Sequence, residues 1–292
     1  MEPNNVIDTT KITTYMECPR KYYLRHIKGI TPTYLKFDLE FGLAVHSTFE
    51  YIHKKLLETN EGILMPSEEL INEAYTDVFI PAYEPIEEYA RKYKTKENFL
   101  TCLQDYWKKY SSEHMCVRYA EICGTILIDE MPFVFRSDSV YQNLKTGAYY
   151  INEIKTSSMD SEPWSAQWQL SPQLIANYFG LQCLYGIEAD AVYVSGLFFT
   201  SSGCYAARLP IRYSDLLIDE WIHMVQPILK YVLQHDDVRD YPMYMGYGRC
   251  VTFSTCPYFH LCAGGITKRP DLTELIECDE DFKIEFWNPL EA

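Results

Sequence analysis

Tyr149-Tyr-Ile-Asn-Glu-Ile-Lys-Thr156 is the stretch whose reading decides the fold. It is rich in β-formers, and in a strand alternate side chains share a face, so Glu153 and Lys155 point the same way. A second β-rich run, Phe133-Val-Phe-Arg-Ser-Asp-Ser-Val-Tyr141, precedes it. The turn-forming Asn143-Leu-Lys-Thr-Gly147 joins the two, which predicts a hairpin. Asp138 lies fifteen residues before Glu153 and can face the same space. Two carboxylates meeting on one face repel unless a divalent cation neutralises them, and oxygen ligands suit Mg²⁺ or Mn²⁺. A lysine beside such a cation can orient an attacking water and counter charge developing on a phosphate. An isolated Glu-x-Lys is usually a surface ion pair, so the surrounding chain has to decide.

Working outward, Gly42 to Glu58 carries an apolar stripe of Leu43, Phe49, Ile52, Leu56 and Leu57 and predicts a helix. Pro66 to Glu113 predicts two or three helices, forming an insert at about residues 60–115. Pro163 to Gly186 returns to helix, with Pro172 as a break or first-turn residue. Ala191–Thr200 and Tyr205–Tyr213 predict a second hairpin across Ser201-Ser202-Gly203, and Asp215 to Gln234 a further helix. No repeat or low-complexity linker interrupts this order. The result is a mixed α/β domain over residues 1–270, followed by an acidic tail, 271–292.

The 292 residues, 47% hydrophobic, suffice for a substantial core. No apolar run approaches the roughly 20 residues of a membrane helix. Met1 to Thr10 is polar and acidic without the basic start and apolar stretch of a secretory signal, which places the expected location in a reducing cytoplasm. Structural disulfides are then not expected among the ten cysteines. The net charge of −15 is unevenly spread. Lys11, Arg20, Lys21, Arg25 and Lys28 form a basic segment interrupted by Glu17, whereas Asp271 to Ala292 has eight acids against Lys283. Within that tail Phe282, Ile284, Phe286 and Trp287 alternate with charges, as a strand with one apolar face would, so it either packs on its own domain or docks on a protein partner.

Cys18 stands in Cys-Pro-Arg-Lys-Tyr-Tyr, and Cys250, Cys256 and Cys262 follow a C-x₅-C-x₅-C spacing. Four thiolates suit Zn²⁺ or a cubane iron–sulfur cluster, and the paired C-x₂-C of zinc knuckles is missing. Asp138…Glu153-Ile-Lys155 followed by Thr156-Ser157 resembles the PD-(D/E)xK nuclease core in its RecB-like branch. Gly42-Leu-Ala-Val-His46 resembles the branch's histidine pattern, and one distant cysteine with three near the end resembles its iron–sulfur staple. CRISPR-associated adaptation nucleases, the AddB nuclease domain and related phage proteins share that arrangement. The branch also carries a substrate-contacting Q-x-x-x-Y helix; Gln173-Leu-Ile-Ala-Asn-Tyr178 has one residue more.

The resemblance implies a restriction-endonuclease-like mixed sheet flanked by helices, and a cytoplasmic enzyme of a prokaryotic cell or phage-infected host. It further implies a Mg²⁺- or Mn²⁺-dependent deoxyribonuclease, an exonuclease on single-stranded DNA ends. His46, Asp138, Glu153 and the Ile154 carbonyl would hold the metal, Lys155 would assist water attack, and Asp138, Glu153 and Lys155 would be the catalytic set. Cys18, Cys250, Cys256 and Cys262 would hold a [4Fe–4S] cluster. Gln173, Tyr178, Arg20 and Lys21 would bind substrate. Arg136-Ser137 stands where the family has glycine before its aspartate, which keeps Asp129 open as the ligand. The same departure, with the net charge, admits a second reading: an impaired nuclease fold acting as adaptor for a helicase, recombinase or CRISPR integrase. A zinc-stapled regulator is a third.

Overall fold

The computed structural model describes residues 6–34, 37–59, 61–245, 250–251, 255–286 and 288. Its strands are β1 (Ile7–Asp8), β2 (Ile30–Pro32), β3 (Ile63–Leu64), β4 (Ser112–Ile128), β5 (Met131–Asn143), β6 (Tyr149–Ser157), β7 (Ala189–Thr200), β8 (Gly203–Ile211) and β9 (Phe282–Ile284). The principal sheet is mixed, in the order β3-β4-β5-β6-β7-β8 with β1 on β5, and β2 pairs with β9 in a separate ribbon. Helices flank the curled principal sheet in the restriction-endonuclease-like manner. The chain divides into two compact units, one of residues 35–124 and 136–215, the other of 1–34, 125–135 and 216–292.

In the unit of residues 35–124 and 136–215, β5 and β6 form the expected antiparallel hairpin, with Ser139 opposite Asn152 and Val140 opposite Ile151. β6 then runs parallel to β7, so the chain must cross over between them. That crossover holds the short helix Glu162–Ala166, a 3₁₀ turn and the helix Pro172–Tyr185. Ser171 caps the last of these by accepting from Leu174 N, and Pro172 sits in its first turn, where its missing N–H costs nothing. Gly186 ends it in the left-handed conformation, φ 64°. β7 and β8 form the second expected hairpin.

The core of this unit lies on the helix Phe37–Thr59, which begins five residues before the predicted start at Gly42. Phe41, Val45, Phe49, Ile52 and Leu56 recur at helical spacing and are all buried. They meet the insert's Phe79, Phe99, Tyr106 and Trp107 and the sheet's Phe199, with Phe41 and Phe199 edge to face at 5.2 Å. The insert is helical over Glu68–Tyr89 and Lys96–Tyr110, but β4 already starts at Ser112, inside the range predicted for it. β4 is the element the sequence pattern conceals: Glu121 interrupts its alternation with a left-handed backbone, φ 52°.

In the unit of residues 1–34, 125–135 and 216–292, β1 pairs in parallel with β5 through Ile7 and Phe133. Val6 and Ile7 are buried, so the polar N-terminus contains a short apolar anchor that composition masked. Asp8 caps the helix Thr9–Glu17 by accepting from Lys11 N at 2.8 Å. The helix Asp215–Gln234 sets Trp221 against Phe133 at 5.5 Å.

The acidic tail packs on its own unit. Leu272 and Ile276 of the helix Leu272–Glu277 are buried, β9 pairs antiparallel with β2, and Phe282 stacks on Tyr258 at 5.9 Å. Trp287 and residues 289–292 lie outside the described residues.

Candidate active site

The β5–β6 ladder runs to Ser139–Asn152, and continuing its register brings Asp138 opposite Glu153 on one face. The Ile154 amide, freed at that point, donates to Asp138 Oδ2 at 2.6 Å. Asp138 Oδ1 lies 3.1 Å from His46 Nδ1, carried in by the helix Phe37–Thr59. The Glu153 side chain is only 1% exposed, against 14% for Asp138 and 29% for His46. Lys155 Nζ donates to Glu153 Oε1 at 2.9 Å and to Gln173 Oε1 at 3.2 Å. Gln173 Nε2 donates back to Glu153 Oε1, and Asn177 Nδ2 donates to Glu153 Oε2 at 3.2 Å. Both oxygens of this buried carboxylate are therefore held by donors.

The electrostatics follow from that layout. Burial, reinforced by the Asp138 carboxylate, raises Glu153 above the ordinary carboxylate value. Burial would raise Asp138 too, but His46, Lys155 and the Ile154 amide outweigh it and hold Asp138 low. For His46 and Lys155 burial works against the charged form, yet the carboxylates prevail and raise both. A further carboxyl, Glu121 on β4, is pushed up to about 8 by burial and then by Asp138 and Glu50.

The structure thus brings His46, Asp138, Glu153, Lys155 and Gln173 together. Gln173 braces Glu153 and Lys155. Tyr178 stands apart: one position beyond Asn177 turns it about 100° round the helix, and its ring lies edge-on to Tyr213 at 6.1 Å. The i, i+4 partner of Gln173 is Asn177, which the Q-x-x-x-Y pattern does not contain but which helical spacing singles out. Asp129, the alternative ligand, sits with Glu130 in the β4–β5 turn, both at positive φ, and accepts from Gln226 Nε2. Trp168 was also missed; its ring lies 5.8 Å from Lys155 Nζ.

Carboxylate oxygens with one imidazole form a donor set that suits a hard divalent cation. The crowding that raises Glu153 beside Asp138 is the imbalance such a cation would relieve. Among the described residues no group of three or more His, Cys, Asp or Glu is arranged to hold a metal ion as it stands.

The four candidate cluster cysteines are all half-buried. Burial raises Cys262 to about 11, with Cys256, Cys18 and Cys250 adding to it, so the four thiols share one electrostatic neighbourhood. Arg20, one of the residues expected at the substrate, is buried. It is 3% exposed, donating through Nε to Tyr241 O, Nη1 to Thr267 Oγ1 and Nη2 to Val238 O. With these donors engaged the arginine ties together the segments flanking Cys250–Cys262. Lys21 remains accessible and pairs with Glu17. No helix among the described residues is long and apolar enough to cross a membrane.

Comparison with known proteins adds the family. The family model of the PD-(D/E)XK nuclease superfamily matches residues 9–263. This chain belongs to that superfamily. The match spans the E-x-K strand, the His46 helix and all four cysteines. Among solved structures, a candidate exonuclease from Eubacterium rectale is similar at 14% identity and a TM-score of 0.47, covering 80% of this chain and 83% of its own. The protein SSO0001 is similar at 12% identity and a TM-score of 0.29, covering 77% and 76%. No curated protein sequence matches the chain.

Proposed function

We propose that this member of the PD-(D/E)XK nuclease superfamily is a Mg²⁺- or Mn²⁺-dependent deoxyribonuclease that works as an exonuclease on single-stranded DNA ends. The observation that carries the reading is Glu153: buried, facing Asp138, and held at both oxygens by Lys155, Gln173 and Asn177. Maintaining a buried carboxylate beside a second one is expensive for a purely structural element. His46, Asp138, Glu153 and the Ile154 carbonyl would hold the divalent cation, which supplies Lewis-acid stabilisation of charge developing on the phosphodiester. Asp138 is aimed by the Ile154 amide and His46, Glu153 by its three donors. Lys155, kept protonated by the same carboxylates, can orient the attacking water and neutralise a non-bridging phosphate oxygen.

Cys18, Cys250, Cys256 and Cys262 would hold a [4Fe–4S] cluster that fastens the N-terminal segment to the C-terminal one within their own unit. The shared neighbourhood of the four thiols and the Arg20 anchor beside them support this. The substrate preference is tested with Mn²⁺ and three DNAs: end-labelled single strands, end-labelled duplex and circular single strands. The proposal expects stepwise shortening of linear single strands and an intact circle. Cleavage of the circle would replace exonuclease with endonuclease, and no cleavage of any DNA would favour the adaptor reading.

A further inference from the structure

Lys155 brings an ammonium into the site, and a water-orienting ammonium has to be aimed. Two of its directions are set by Glu153 Oε1 and Gln173 Oε1. Its remaining surroundings include Trp168, whose ring centroid is 5.8 Å from Nζ, within the reach of a cation–π contact. Trp168 is itself fixed. Its carbonyl accepts from Tyr213 Oη at 2.7 Å, and its ring meets Trp164 edge to face at 5.7 Å. Trp164 in turn abuts Phe198 at 4.6 Å.

That chain of rings depends on a glycine in register with the lysine. Gly196 on β7 is the cross-strand partner of Lys155. A Cβ built there would stand 2.6 Å from Trp164 Cη2 and 2.7 Å from Phe198 Cε2, so a residue without a side chain leaves the notch that these two rings fill. Gly196 is not in a positive-φ conformation, so space and not backbone freedom accounts for it. Trp164, seated at Gly196, and Trp168, beside the ammonium, form one wedge of rings.

We infer that Trp168 is a positioning residue for Lys155, seated by Trp164 in the notch at Gly196, and that this wedge sets kcat without setting substrate affinity. The inference rests on the nuclease reading for its kinetic arm. Trp168→Leu removes the ring's negative face while keeping an apolar side chain; it should lower kcat roughly 3- to 30-fold, the span of cation–π strengths, with KM unchanged. Trp168→Phe should recover most of that loss. Gly196→Ala should reproduce the Trp168→Leu defect, and the double variant should be no worse than either single one. A spectroscopic arm is independent of cleavage. Lys155→Ala should shift indole emission in the parent protein and leave the emission of Trp168→Phe unmoved. Equal kcat for Trp168→Leu and parent, or identical emission changes in the two backgrounds, overturns the inference. A parent protein that cleaves no DNA yet shows the emission coupling would refute the nuclease reading and leave the Lys155–Trp168 contact standing.

Discussion

Glu153 is a buried carboxylate of the candidate site, and each of its oxygens has a protein donor. Asn177 Nδ2 is the donor on Oε2. Removing a hydrogen bond to a charged, buried group costs about 1.5–3 kcal/mol, so Asn177→Ala should reduce cleavage by roughly 10- to 100-fold. Tyr178→Phe, whose ring lies on Tyr213, should cleave at the parent rate. The converse pattern in a single-turnover assay would restore the tyrosine to the motif. Glu121 permits a test without catalysis. Its pKa is raised from 4.5 to about 8 by burial and then by Asp138 and Glu50. An acid whose folded pKa is raised binds more protons folded than unfolded, so its cost to stability grows as pH rises from about 4.5 to about 8. In chelator, Glu121→Gln should match the parent near pH 4.5 and melt roughly 2–6 °C higher at pH 8–9. A melting difference that does not change with pH would contradict that environment.

At the scale of elements, the legible parts were those with an unbroken period. The helix Asp215–Gln234 and both hairpins follow from spacing and turn residues, and Pro172, expected as a break or first-turn residue, stands in the first turn of its helix. β4 was hidden because its alternation is broken at Glu121 and several of its residues face solvent. β1 was hidden because two residues carry no period at all. Of the candidate site, His46, Asp138, Glu153 and Lys155 can be read from motifs and Asn177 from its i, i+4 spacing to Gln173, whereas Trp168 requires the geometry of the crossover. The tail was legible as a strand but not as to its partner, since pairing β9 with β2 joins segments some 250 residues apart. Truncation after Pro270 would strip β2 of its partner and expose Tyr258, whose hydroxyl donates to Ile30 O. It should lower the melting temperature by several degrees without raising affinity for single-stranded DNA. Tighter DNA binding by an equally stable truncated protein would show the tail to be an electrostatic brake.

At the scale of the molecule, the net charge of −15 and the superfamily membership pull in different directions. Phosphate binding normally draws on lysine and arginine, and Arg20 is spent on structure. On the proposed function, phosphate recognition would therefore fall to Lys155 and to the charge of a bound cation. Within the unit of residues 1–34, 125–135 and 216–292, a cluster on Cys18, Cys250, Cys256 and Cys262 would close a loop of more than two hundred residues. Cys18→Ala should lose iron and colour as completely as Cys256→Ala in anaerobically purified protein, and both should be poorly soluble. Colourless parent protein with stoichiometric zinc would remove the iron–sulfur assignment. On the proposed function, Asp138, Glu153 and Lys155 hydrolyse DNA with a divalent cation. The most direct measurement is cleavage of end-labelled single-stranded DNA by the parent and by Asp138→Ala, Glu153→Ala and Lys155→Ala, with Mn²⁺ or with chelator. Cleavage by the parent in Mn²⁺ alone and none by any folded variant is expected; variants that cleave at the parent rate, or cleavage that persists in chelator, would rule the proposed function out.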